Sequence, residues 1–215
     1  MQRISVGGLT LWFGAQDLDS VELVRQACAK TERLLHEHWG LDTLEDCRVT
    51  IMTSWLGFMF RSAPWPWRLL LGVTLPLWAL RAWRIWPIAG GWEQRFGRRR
   101  AVGVKPPRLL QRADRRIGER FFVERDNVDE KVQSITCHEL THAFTSHLDL
   151  PTWLREGLAM VTVDEFFQEP TVRDDTLEML ELPSETGDLG GRQRLRVGDE
   201  GALLEVYARG YWLTR

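Results

Sequence analysis

The chain has 215 residues, 44% of them apolar, so it can bury a full core; a single domain is expected, and no repeat or low-complexity tract appears. Its three cysteines, Cys28, Cys47 and Cys137, are an odd number without metal-site spacing, which argues against a disulfide scaffold. The net charge of −2 conceals a strong asymmetry: 15 basic and 4 acidic residues over 55–125, but 8 basic and 18 acidic over 126–215.

Residues 1–14 lack the charged start and apolar run of a signal peptide, so a cytoplasmic site is the default expectation. Leu9-Thr10-Leu11-Trp12-Phe13 predicts a strand. Residues 20–38 predict a helix with Val21, Val24, Ala27, Leu34 and Leu35 inward, capped by Asp17 or Asp19. A second strand is expected over 48–53.

Residues 55–118 read as an inserted segment rich in tryptophan and arginine. Seven of the eleven tryptophans lie here: Trp55, Trp65, Trp67, Trp78, Trp83, Trp86 and Trp92. Residues 69–80 carry no charge, with Arg68 before them and Arg81 and Arg84 after. As a helix these twelve residues rise about 18 Å, short of a bilayer's roughly 30 Å core, and Pro76 would kink them. Tryptophan, leucine and arginine together suit peripheral membrane contact through residues 55–105. A hairpin covering the sheet and a partner-facing surface are competing readings; a nucleic-acid patch over 95–116 is the weakest. Pro106-Pro107 reads as the exit of the insertion.

Residues 120–124 have strand composition, and Asn127 with Glu130 marks a helix start. That helix carries His138-Glu139-Leu140-Thr141-His142, the pattern H-E-x-x-H, and is expected to run toward Leu150-Pro151. Histidines four residues apart lie about 40° apart around a helix, so both can face one ion. Glu139 is offset by about 100° from His138 and 60° from His142, which suits a base beside the ion rather than a further ligand.

Catalytic zinc takes three protein ligands and keeps one open position. His147 would point about 140° away from His142 on a continuing helix and reads as a helix-end residue. Glu156, in Trp153-Leu154-Arg155-Glu156-Gly157-Leu158-Ala159, is the better third ligand, on a second helix starting near Thr152. Gly157, lacking a side chain, would let that helix approach the first. Cys137 should face away from the ion. Beyond Glu156 the chain is acidic and reads as solvated surface, with a loop over 187–191. The chain stops within an amphipathic pattern at 211–215, which suggests a truncated or minimal domain.

H-E-L-T-H followed by W-L-R-E-G-L-A resembles the gluzincin signature of the peptidase MA-like superfamily, which includes the zinc aminopeptidases. The resemblance implies zinc (Zn2+) held by His138, His142 and Glu156, with Glu139 as general base. Tyr207-Ala208-Arg209-Gly210 is similar to the family's Tyr-x-Lys-Gly segment, with arginine in place of lysine, and implies that Tyr207 hydrogen-bonds the oxyanion. The interval from His142 to Glu156 is shorter than in the large aminopeptidases, and no glycine-rich strand of the kind that holds a free N-terminus is evident. The fold implied is α+β and zincin-like: a small mixed sheet, the HExxH helix and a glutamate-bearing helix, within one domain over 1–215.

The expected function is zinc-dependent hydrolysis of a peptide or protein by metal-activated water. The alternative is a non-catalytic zinc-stabilised module docking to membrane or protein through residues 55–118. The two are separated by whether the metal's fourth position faces an open cleft or is covered by the tryptophan-rich segment.

Overall fold

The computed structural model describes residues 1–87, 89–110, 121–123, 127–180 and 200–215. The protein is a mixed α+β structure built on one five-stranded sheet. Strands β1 (Gln2–Val6), β2 (Leu9–Phe13), β3 (Cys47–Ile51), β4 (Gly91–Phe96) and β5 (Arg99–Val104) lie in the order β1-β2-β3-β5-β4. The three central strands run parallel, and the edge strands β1 and β4 run antiparallel to their neighbours. Each edge follows from a tight turn at a glycine with positive φ, Gly7 between β1 and β2 and Gly97 between β4 and β5.

Period-2 alternation divides the sheet into two faces. Leu11, Val49 and Val102 are register partners in adjacent strands and belong to the core cluster that faces α1 (Leu18–Trp39) and α5 (Val128–Thr145). Val24, Cys28 and Leu35 of α1 and Val132, Leu140 and Phe144 of α5 fill that layer. Ala101 and Phe96 serve the opposite face, covered by α2 (Trp55–Ser62) and α3 (Trp65–Ile85). There Trp55 stacks edge-on against Trp78 at 4.8 Å and Trp92 at 5.3 Å.

The 55–118 segment therefore has two parts. Its helices form a hairpin over one face of the sheet, whereas β4 and β5 are strands of the sheet itself, which the sequence reading did not anticipate. The buried Lys105 joins the parts: its Nζ donates to the Trp86 carbonyl and its backbone N–H to Gly90. A single helical turn, α4 (Pro107–Leu110), follows. The remainder of the segment, to residue 118, lies outside the described residues, as does the loop expected over 187–191.

Several local expectations need correction. The described residues 121–123 form no sheet strand: Phe122 makes an isolated bridge to Val172, and residues 120 and 124 lie outside the described set. β3 is flanked by β2 and β5. Asp17 occupies the N-cap of α1 but makes no capping bond; its carboxylate accepts from Arg108 at 2.6 Å. α5 ends at Thr145, well before Pro151.

α6 (Thr152–Phe167) and α7 (Glu200–Thr214) complete the fold beyond α5. Tyr211 donates to Asp164 at 2.6 Å, and Trp39 donates to Thr162 at 3.0 Å, tying α7 and α1 to α6. Among the described residues, no helix is long and apolar enough to cross a membrane.

Candidate metal centre

Asn127 caps α5, its side chain accepting from the Asp129 N–H at 2.9 Å, and Glu130 accepts from its amide at 3.3 Å. This start sets the rotation of the helix, whose Leu140, Ala143 and Phe144 bury against the sheet layer. His138 and His142 then stand one turn apart on another face. Their Nε2 atoms are 3.0 Å apart and their rings nearly perpendicular, at 87°.

Glu156, one turn into α6, completes the group. Its Oε2 lies 3.4 Å from His138 Nε2 and 3.2 Å from His142 Nε2. Its other oxygen is 3.7 Å from the Arg155 guanidinium. His138, His142 and Glu156 form a cluster that can hold a metal ion. The edges of this triangle, 3.0, 3.2 and 3.4 Å, fit the donors. Ligands about 2.05 Å from a tetrahedral ion lie about 3.3 Å from one another. The donor set fits as well, since two imidazole nitrogens and a carboxylate oxygen converge with lone pairs that a cation satisfies together. Among the described residues, His142 Nδ1 is buried without a hydrogen-bond partner.

Glu139 lies beside the cluster against the edge strand. A β-carbon on Gly91 would fall 2.5 Å from Glu139 Cγ, and one on Gly90 would fall 2.5 Å from Ile135 Cδ1. These two glycines let α5 seat Glu139 against the start of β4. The strand beside the site is thus β4, which was not recognised in the sequence. It brings Glu93, whose buried Oε1 lacks a hydrogen-bond partner among the described residues. The signal was available as Gly90-Gly91 preceding an alternating strand, but it was masked by the tryptophan-rich composition around it.

The electrostatics follow from burial and neighbouring charge. Burial pushes the Glu139 carboxyl up to about 7, His138 opposing and Glu156 and Glu93 reinforcing the shift. Burial also raises Glu93, against the charges of Arg155, Arg100 and Arg95. Burial would raise Glu156 too, but His142 and His138 overcome it and hold this carboxylate well below its ordinary range. Burial depresses His142; for His138 burial is outweighed by the hydrogen bond and charge of Glu156, and the net shift is upward.

Tyr207 is within the electrostatic reach of Glu156 and Glu139, and burial together with those charges raises its pKa well above 10, so its hydroxyl stays protonated. It packs against Phe121, ring centroids 5.9 Å apart. Arg209 pairs with Glu205 at 2.9 Å. His147 is outside the cluster, its Nδ1 2.8 Å from the Phe144 carbonyl. Cys137 is buried, 3.7 Å from the Thr162 carbonyl.

Gly157 does allow a close helix approach, but to α7 and not to α5. A β-carbon on Gly157 would lie 2.1 Å from the Gly210 carbonyl oxygen, and one on Gly210 would lie 2.3 Å from the Trp153 carbonyl. The fold and site together define an α+β protein with a two-histidine, one-glutamate cluster that could hold a metal ion. No protein-family model, curated protein or solved structure matches the chain.

Proposed function

We propose that the chain is a zinc-dependent peptide hydrolase of zincin-like build, with His138, His142 and Glu156 as zinc ligands and Glu139 as general base. The observation carrying this reading is the convergence of two Nε2 atoms and one carboxylate oxygen within 3.0 to 3.4 Å, next to a second, unligated carboxyl. A zinc ion held by these donors supplies a Lewis acid that lowers the pKa of water to about 7 and polarises a carbonyl.

The protein's own groups do the rest. Glu139, seated beside the cluster against β4, takes a proton from the attacking water and delivers it to the leaving amine. Tyr207 keeps its hydroxyl proton and donates a hydrogen bond to the oxyanion as the carbonyl becomes tetrahedral. β4 is the last strand in the sheet order and offers backbone groups to an extended peptide. Glu93 on that strand receives a cationic group of the substrate, either a terminal amine or a basic side chain.

Metal analysis joined to peptide-library cleavage tests the reading. Zinc at about one per chain is expected, with cleavage abolished in Glu139→Gln while the metal stays bound. Undiminished cleavage by Glu139→Gln overturns the mechanism.

A further inference from the structure

Helix α3 is apolar on every side. Leu71, Trp78, Ala82 and Trp86 pack into the cluster over the sheet. The opposite side is equally apolar and uncovered: Val73 is 81% exposed, Leu77 84%, Leu69 and Leu80 58% each. A helix apolar all round is one that is covered on both faces when it works. Trp65 and Trp83, 66% and 74% exposed, flank this stripe. They are eighteen residues apart, which is about five turns, so they share one azimuth about 27 Å apart along the axis. Val73, Leu77 and Leu80 lie within about 120° of that azimuth.

We propose that this face of α3 docks on an anionic lipid surface, with the helix lying in the plane of the interface. The charge around it is complementary to such a surface. No aspartate or glutamate occurs between Asp46 and Glu93, while Arg61, Arg68, Arg81 and Arg84 fall in that interval. Arg84 is exposed at the end of the stripe. A second copy on the same face would set arginine against arginine with no carboxylate from either segment to offset it. Anionic headgroups offset it directly, and indole rings at both ends of an apolar stripe settle at the headgroup level.

The in-plane orientation follows from the helix itself. Pro76 has no N–H, so the Gly72 carbonyl one turn earlier receives no helical bond from it, and both residues lie on the exposed side. Such a carbonyl is tolerated in the hydrated interface but is costly in the hydrocarbon core. Arg68 is held at the start of α3, its guanidinium donating to Ala63 at 2.9 Å and Arg61 at 3.3 Å. The helix is fixed to the sheet through Trp55, Trp78 and Lys105, so docking would seat the whole domain.

The full chain, its Val73→Asp/Leu77→Asp variant and its Arg84→Glu variant would be sedimented with phosphatidylcholine vesicles and with vesicles containing about 30% phosphatidylglycerol. Both substituted positions of the double variant are already exposed, and circular dichroism with metal content checks the fold. Wild type should partition onto anionic vesicles about tenfold more than onto neutral ones. The double variant should lose about tenfold, and Arg84→Glu severalfold, on the anionic vesicles. Wild type left in the supernatant overturns the proposal, as does undiminished binding by the double variant. A dimer on size exclusion that the double variant dissolves, with no vesicle binding, assigns the face to a second copy and also overturns it. Because metal content is read in each case, failure of lipid docking is separable from failure of the hydrolase reading.

Discussion

Gly157 and Gly210 face each other across the α6–α7 crossing so closely that a β-carbon on Gly157 would lie 2.1 Å from the Gly210 carbonyl oxygen. Each glycine shares a helix with a residue of the site: Glu156 precedes Gly157, and Tyr207 is about one turn before Gly210. The crossing therefore couples the position of the third ligand to that of the tyrosine. Gly157→Ala should cost about 1–3 kcal/mol by forcing the helices apart. Denaturant titration measures it, and unchanged stability would show that α7 can shift freely.

Glu156 is the ligand most dependent on this packing. Glu156→Ala should bring bound metal from about one per chain to near zero, since two histidines alone leave a catalytic zinc set incomplete. Elemental analysis after gel filtration reads the result. Acid should release the metal from the wild type as well, because protonated imidazole cannot ligate. His138, with its raised pKa, takes a proton at higher pH than the depressed His142.

Tyr207→Phe removes only a hydroxyl from a ring packed on Phe121. If that hydroxyl donates to the oxyanion, kcat should fall about a hundredfold or more with metal content unchanged. Steady-state kinetics decides between this and a packing role, for which kcat would hold.

The buried Glu139 carboxyl makes metal-free stability depend on pH. Its pKa is about 7 in the fold against 4.5 ordinarily, so between those values the folded state binds the extra proton. Stability should thus decline as pH rises through that window and stay low above it. Metal-free Glu139→Gln escapes this penalty and should exceed wild type by roughly 3 kcal/mol near pH 8, with no difference near pH 4. Denaturant titrations at the two pH values compare them; a constant difference would remove burial of Glu139 as the cause.

Glu93→Gln should raise KM about tenfold for peptides with a free amino terminus or basic residue, leaving kcat nearly unchanged. Neutral, blocked peptides serve as controls. Equal losses on every substrate would assign Glu93 to the fold instead of to recognition.

Much of the site was legible because it rests on local periodicity. The step from His138 to His142 is one helical turn, so the pair faces together wherever the helix goes. Asn127, Pro151 and the W-L-R-E-G-L-A frame likewise mark the helix starts near where they occur. What was not legible depends on partners distant in the chain. β4 and β5 lie in the tryptophan-rich third, where composition suggests an insertion, and their strand character emerges only from the pairing of β5 with β3 and of β4 with β5. The role of Gly90 and Gly91 is visible only once Ile135 and Glu139 lie against them. Gly157, lacking a side chain, marks a close approach in the sequence, but which helix it admits depends on the path of α7.

Read alone, the chain specified the ligand pair, the candidate third ligand and the base, because helical geometry relates residues a few positions apart. Assembly of the sheet and the α6–α7 crossing were needed to bring Glu156 within 3.4 Å of both histidines, to set Glu139 against β4 and to bring Tyr207 near both carboxylates. Those relations span tens of residues, and they follow from which apolar faces bury against each other, a choice no local pattern encodes.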